Sequence, residues 1–198
     1  PAQLSRAVQY FASDDGLDIE GLGAEAASQL VEAGLVEDGL DDLYALTVED
    51  LVELEGWGET SARNLVEELA ASKRPPLADF LSALGIPEVG PTVARDLAAH
   101  FGSLDAVMDA DRAALQGVEG VGPAVAERVR DFFENERNRA VIEGLRERGV
   151  DPQTVERGGG DELAGLTFVF TGSVEGYTRS DLQDLVERHG ASATGSVS

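Results

Sequence analysis

Ile19-Glu20-Gly21-Leu22-Gly23 opens a pattern that returns as Leu54-Glu55-Gly56-Trp57-Gly58, as Ile86-Pro87-Glu88-Val89-Gly90 and as Val118-Glu119-Gly120-Val121-Gly122. The closing glycines stand 35, 32 and 32 residues apart. Each is followed at the fourth position by alanine (Ala27, Ala62, Ala94, Ala126) and at the seventh by an aliphatic residue (Leu30, Leu65, Leu97, Val129). A period of this length marks one supersecondary unit copied along the chain, here a helix, a tight glycine turn and a second helix. The first glycine permits a positive φ, and the second lets the backbone approach a ligand with no Cβ in the way. The alanine allows close helix-helix contact, while the two apolar turn positions staple the turn to the core. Backbone amides at the positive end of a helix are a general cradle for phosphate. Such a cradle reads a nucleic-acid backbone rather than its base sequence.

The candidate DNA-binding positions are therefore Gly21, Gly23, Gly56, Gly58, Gly90, Gly120 and Gly122. Glu88 stands where the other three turns carry glycine, and a carboxylate there opposes phosphate, so the third turn is expected to be the most structural. Arg63 and Arg95 follow their turn glycines by five residues and Arg128 by six, within reach of flanking phosphates. A solvated helix face is the competing reading of these arginines. Trp57 occupies the position of Leu22, Val89 and Val121, which predicts core packing rather than stacking on a base.

Working outward, Leu4, Ala7, Val8 and Phe11 share one face of an opening helix. Leucines at 43, 46, 51 and 54 lead into the second turn, and Leu104, Val107, Leu115 and Val118 into the fourth. Thr47 with Asp50 marks a helix start. Lys73-Arg74-Pro75-Pro76 breaks the array into two pairs of hairpins. After Phe132-Phe133 a polar helix runs to Arg148, and Asp151-Pro152 with Gly158-Gly159-Gly160 reads as a linker. Leu166 to Phe170 then predicts a buried strand closed by Thr171-Gly172. Thr178 caps a helix from Arg179 to His189, with Leu182, Leu185 and Val186 inward, before a second short strand. The division predicted is a helix in 1–16, a four-hairpin domain in 17–150, a linker in 151–162 and an incomplete α/β segment in 163–198.

The chain has 198 residues, 42% of them apolar, and no cysteine. That excludes disulfides and thiolate zinc sites within these residues and fits a reducing, cytoplasmic setting. No apolar run is long enough to span a bilayer, and no membrane partner is expected. The start at Pro1 reads as an excerpt of something longer. Net charge is −23, from 38 acidic and 15 basic side chains, and Lys73 is the sole lysine. Such acidity repels DNA at ordinary ionic strength. It is spread over the patterned segments rather than gathered in a tail, which favours adaptation to very high salt, where the screening length falls to about 3 Å at 1 M. His100 and His189 are isolated from other ligand-type residues, so no metal is expected in this segment.

The turn pattern resembles the helix-hairpin-helix motif. The flanks extend the likeness: Pro1-Ala2-Gln3-Leu4 through Phe11-Ala12-Ser13, Leu43-Tyr44-Ala45-Leu46, Asn64-Leu65, Ala83-Leu84-Gly85-Ile86 and Phe132-Phe133 with Asn138 resemble NAD-dependent DNA ligases just after their zinc finger. Thr167 to Gly172, Thr178-Arg179 and Gly190-Ala191 look like the start of a BRCT domain. Glu59, Thr60 and Asp14-Asp15 depart from the more basic residues usual in that family. The resemblance implies a mainly α fold of four hairpins in two pairs, then a truncated BRCT-like α/β segment. It implies the DNA-gripping C-terminal portion of a monomeric enzyme that seals nicks in replication and repair, binding nicked duplex without sequence preference. It also implies NAD, a divalent metal such as Mg and an upstream zinc for the full-length enzyme, none of them held by this segment. The family's adenylated lysine lies in a Lys-x-Asp-Gly motif, absent here because Lys73 is followed by Arg-Pro-Pro; no catalytic residue and no activity are expected of the fragment alone. Thr171-Gly172 matches a phosphoserine pair of some BRCT domains, though ending a strand is the preferred reading. The alternatives are a non-enzymatic repair or replication scaffold with the same modules, and a helical interaction array that never meets DNA.

Overall fold

The computed structural model describes residues 2–155, 166–169, 182, 183, 186 and 192–194. The chain forms two units, Pro1–Val155 and Glu156–Ser198. The first is mainly helical: α1 (Ala2–Ala12), α2 (Ala24–Glu32), a 3-10 segment (Leu40–Ala45), α3 (Val48–Val52), α4 (Glu59–Ala71), α5 (Leu77–Ala83), α6 (Pro91–Phe101), α7 (Leu104–Asp109), α8 (Arg112–Gln116), α9 (Pro123–Glu134) and α10 (Glu136–Glu147). Each of the four turn motifs leads into the second helix of its hairpin: α2, α4, α6 or α9.

The repeated apolar positions build the core. Ala27, Ala62, Ala94 and Ala126 are all 0% exposed, and Leu30, Leu65, Leu97 and Val129 at most 1%, so the repeat is a packing repeat throughout. The core divides at the Lys73–Pro76 break. One apolar cluster runs from Val8 and Phe11 through Leu43, Leu51 and Leu65 to Ala83. The other runs from Leu77 and Phe80 through Leu97 and Leu115 to Leu145 and Val150. The connectors repeat as well: α3 and α8 each span five residues, and Leu51 and Leu115 are buried at matching places within them. Thr47 caps α3 in a capping box with Asp50, while Asp111 caps α8 through the Ala114 amide at 2.8 Å.

Several contacts join the halves, three of them as follows. Tyr44 packs against both clusters, lies edge-on to Phe11 at 6.4 Å, and donates its hydroxyl proton to Ser72 Oγ at 2.7 Å, since that oxygen's own proton goes to the Leu69 carbonyl. Burial pushes the Tyr44 phenol up from 10.0 to about 12. Ser82 of α5 is buried and donates to the Asp15 carbonyl at 2.6 Å. The segment predicted as one polar helix after Phe133 is cut at Asn135, whose side chain accepts from the Arg137 and Asn138 amides and so caps α10. That helix closes on the 3-10 segment: a Cβ at Gly144 would lie 2.2 Å from Asp41 Oδ2, so only glycine permits this approach. The same packing desolvates Asp41 and raises its carboxyl above the usual range, whereas Asp42, despite its own desolvation, is lowered by the backbone amides of Asp38, Glu37 and Gly39.

The stretch read as a linker from residue 151 is pinned to the hairpin unit over its first five residues. The Asp151 amide donates to the Lys73 carbonyl at 2.8 Å, the Gln153 amide to Pro75 at 2.9 Å and the Val155 amide to Gly102 at 2.8 Å. Arg74 pairs with Asp151 at 3.0 Å, and Pro75 and Pro152 are buried. Alternate amides bond as in a strand, which leaves the prolines free to pack.

In the second unit β1 (Thr167–Val169) and β2 (Ser192–Thr194) pair in parallel, with Phe168 opposite Ala193. Residues 182, 183 and 186 are helical, and Val186 is buried. The strand predicted to be buried is not: Leu166 is 50% exposed, Thr167 is exposed, and Phe168 and Val169 are half-buried. Among the described residues β1 has one strand neighbour, β2. Phe170, Thr171-Gly172, Thr178 and Leu185 lie outside the described residues.

Candidate nucleic-acid interface

The turns share one backbone geometry. Gly21, Gly56 and Gly120 have φ of +84°, +85° and +82°. Amide-to-carbonyl bonds close the later three turns, Trp57 to Leu54, Val89 to Ile86 and Val121 to Val118, at 3.0–3.2 Å. A positive φ at the third of four residues is the requirement of a type II turn, and it favours glycine. Glu88 meets the same requirement without being glycine, at φ +67°. Its turn has proline at the second position, Pro87, the residue type whose fixed φ suits that place. The third turn thus keeps the shape by a different route.

The second glycines are another matter. Gly23, Gly58, Gly90 and Gly122 are the N-caps of their helices, with φ between −83° and −110°, extended backbone that any residue adopts. A Cβ built on any of the four would meet nothing within 4 Å. The fold therefore does not demand glycine here; what glycine supplies is open space on the outer side. None of these caps bonds the first-turn amides through a side chain, so the amides keep no protein partner of the usual capping kind. At the second turn Ser61 Oγ instead accepts from the Gly58 amide at 3.1 Å. The helices α6 and α9 open with Pro91 and Pro123, which carry no N–H, whereas α2 and α4 open with Ala24 and Glu59. The first pair thus presents one more donor per turn than the second.

The first two turns lie side by side across a cleft of about 400 Å³ lined by Glu20, Gly21, Gly56, Trp57, Ser61 and Asn64. Trp57 is half-buried, unlike Leu22, Val89 and Val121, which are at most 6% exposed. It packs against the first core cluster with one face, and its indole N–H donates to Gln29 Oε1 at 2.8 Å. The predicted core role holds for part of the ring only, because an indole needs a polar partner for its N–H.

Family models match the chain in three places: the helix-hairpin-helix motif over residues 79–142, the SAM-like helix-hairpin-helix tandem over 14–71, and the BRCA1 C-terminus (BRCT) domain over 159–198. The whole chain is 63% identical to a DNA ligase of Halorubrum lacusprofundi and 60% identical to one of Natronomonas pharaonis, covering 28% of each. It is 48% identical to a DNA ligase of Salinibacter ruber, covering 29% of it. Along its whole length the chain is similar to one segment of these DNA ligases. It spans under a third of the length of these curated relatives.

In the hairpin unit the three predicted arginines are exposed on α4, α6 and α9. Arg63 and Arg95 occupy the same place on their helices. Arg128, one residue further on, is turned by about 100°. Arg130 serves the fold instead, donating to the Ala110 carbonyl at 2.9 Å and pairing with Glu134. Exposed carboxylates crowd the turns: Glu20, Glu55, Glu88 and Glu119 within them, Glu25 and Glu59 just after. Residue-by-residue reading overlooked Ser61, Asn64 and Gln29. The signal available was positional, since Gln29 and Asp96 each stand six residues after the closing glycine of the first turn in their pair. Among the described residues no group of three or more His, Cys, Asp or Glu is arranged to hold a metal, and no helix is long and apolar enough to cross a membrane.

Proposed function

We propose that this segment grips duplex DNA around a nick through the backbone amides of its turns, and that the longer protein to which it belongs seals that nick. The observation that carries the reading is the four closing glycines, placed where the fold tolerates any side chain and where a Cβ would project into open space. Phosphate oxygens meeting first-turn amides and the positive helix end supply the affinity, Arg63, Arg95 and Arg128 add point contacts, and sequence preference is absent because no base edge is read. The likeness to ligases across all 198 residues supports linking the grip to nick sealing. For the whole enzyme the resemblance supports NAD as adenylate donor, a divalent metal and an upstream zinc site. The chain has no cysteine for a thiolate zinc site, its sole lysine, Lys73, is followed by Arg-Pro-Pro, and among the described residues no group of three or more His, Cys, Asp or Glu is arranged to hold a metal. No chemical step is assigned to this chain, which acts by holding and orienting the substrate. The net charge of −23 supports a working range at high salt, where screening of the turn glutamates is short-ranged.

Gly58→Thr and Gly122→Thr test the grip. Threonine adopts the extended cap conformation and caps a helix as well as glycine does, so the melting temperature stays unchanged. Duplex affinity, measured by fluorescence anisotropy in molar KCl, falls by roughly tenfold or more, the scale of one charge-assisted hydrogen bond. Undiminished binding by both variants sinks the turn-amide reading. For the longer protein, AMP transfer to enzyme supported by ATP but not by NAD refutes the NAD assignment.

A further inference from the structure

Gln29 lies on α2, half-buried, and both of its side-chain hydrogen bonds go to the second turn. Nε2 donates to the Glu55 carbonyl at 3.0 Å, and Oε1 accepts from the Trp57 indole at 2.8 Å. The indole is a donor only, so the orientation of the amide is fixed by its partners. The two contacts fall on either side of Gly56, the residue that gives the turn its positive φ. One side chain from the first hairpin therefore holds the second turn by a backbone acceptor and a side-chain donor at once, across the cleft that separates the two turns.

The second pair repeats the placement with different chemistry. The equivalent residue on α6 is Asp96, and a Cβ on Gly120 of the fourth turn would lie 3.8 Å from its Oδ2. In both pairs the residue six positions after the first closing glycine faces the pair's second turn. A carboxylate accepts but does not donate when ionised, so Asp96 lacks the two-way grip of Gln29.

Resting on the DNA-backbone reading above, we propose that Gln29 is a positioning residue that sets the spacing of the first and second turns, so that their amides engage one duplex together. It acts through the second turn and touches no phosphate itself. Trp57, the only tryptophan of the chain, sits on the contact and reports on it.

The test uses the full 198-residue chain, a nicked duplex in molar KCl, anisotropy for affinity, Trp57 emission for the contact and circular dichroism for folding. Gln29→Leu removes both bonds; it weakens duplex binding roughly tenfold and moves Trp57 emission to longer wavelength. Gln29→Glu keeps an acceptor for the indole and loses the donor, so it falls between Gln29→Leu and the parent and serves if the leucine variant folds poorly. Gln29→Leu adds no loss to Gly58→Thr, where the second turn is already disabled, and adds its full loss to Gly122→Thr. Equal additivity in both backgrounds overturns the proposal, because it means direct contact with DNA or a general effect on the fold. Binding by Gln29→Leu equal to the parent, while Gly58→Thr weakens it, overturns the proposal alone. Binding unchanged in Gly58→Thr and Gly122→Thr as well overturns the underlying grip reading, and the proposal with it.

Discussion

The two hairpin pairs are close copies in their cores and unlike at their turns. The first pair uses glycine at every special position, opens both second helices with an N–H and bridges its turns with Gln29. The second pair holds one turn with Pro87 and Glu88, begins both second helices with proline and has Asp96 at the bridging position. The second pair loses donors at Pro87, Pro91, Pro123 and Asp96, while the first pair alone carries carboxylates, Glu25 and Glu59, in the first turns of its second helices. Every buried repeat position, by contrast, is kept apolar or small. The packing constraint is the same for both pairs, while their outer faces differ. Under the proposed grip, the extra first-turn amides and the Gln29 bridge would let the first pair hold phosphate more firmly, with Glu25 and Glu59 opposing that advantage.

Truncating the shared core should affect both pairs alike. Leu65→Ala and Leu97→Ala each remove a buried leucine side chain, and each is expected to cost about 3 kcal/mol in denaturant titrations. A much smaller cost at Leu97 would break the claim that the cores are equivalent. The join between the pairs is probed by pH. Because the Tyr44 phenol titrates at about 12 when folded against 10.0 unfolded, its contribution is fully present below pH 10 and is lost as pH rises towards 12. The loss is roughly 2–3 kcal/mol, and Tyr44→Phe should abolish that part of the alkaline decline. A decline identical in the phenylalanine variant would remove Tyr44 from the account of the join. Smallest is the repair of the third turn. Glu88→Gly relieves a left-handed residue and is expected to stabilise by about 1 kcal/mol, while duplex affinity rises about threefold as the carboxylate leaves the helix start. No gain in either measurement would show that Pro87 already relieves the turn.

Much of this was written into the chain in a form that pattern can reach. Glycine spacing located the four turns, and the alanine and aliphatic positions after them located the core, because a repeat must bury the same face each time. The Lys73–Pro76 break marked the division of the core for a similar reason, since two prolines in succession interrupt a helix. Glu88 was visible as a charge at a glycine position, while the +67° φ it adopts there had to be seen in the structure, because a glutamate can also change the turn type. Gln29 was hidden because its partners, Glu55 and Trp57, belong to another hairpin, and contacts between helices leave no period. Trp57 was half legible: its place in the repeat pointed inward, and its indole N–H turned it toward a polar neighbour. Residues 151–155 read as linker from Asp, Pro and Gln, yet main-chain amides hold them, and these are indifferent to composition.

That last attachment has a mechanical side. Tension applied to the chain beyond Val155 would not be felt first at the end of α10. It would be borne by three amide bonds, to Lys73, Pro75 and Gly102, two of them on the strip that joins the hairpin pairs. Pulled in register, such bonds share the load as a shear joint rather than opening one by one like a zipper. The strip between the hairpin pairs thus serves as an anchorage for the chain that leaves the helical unit.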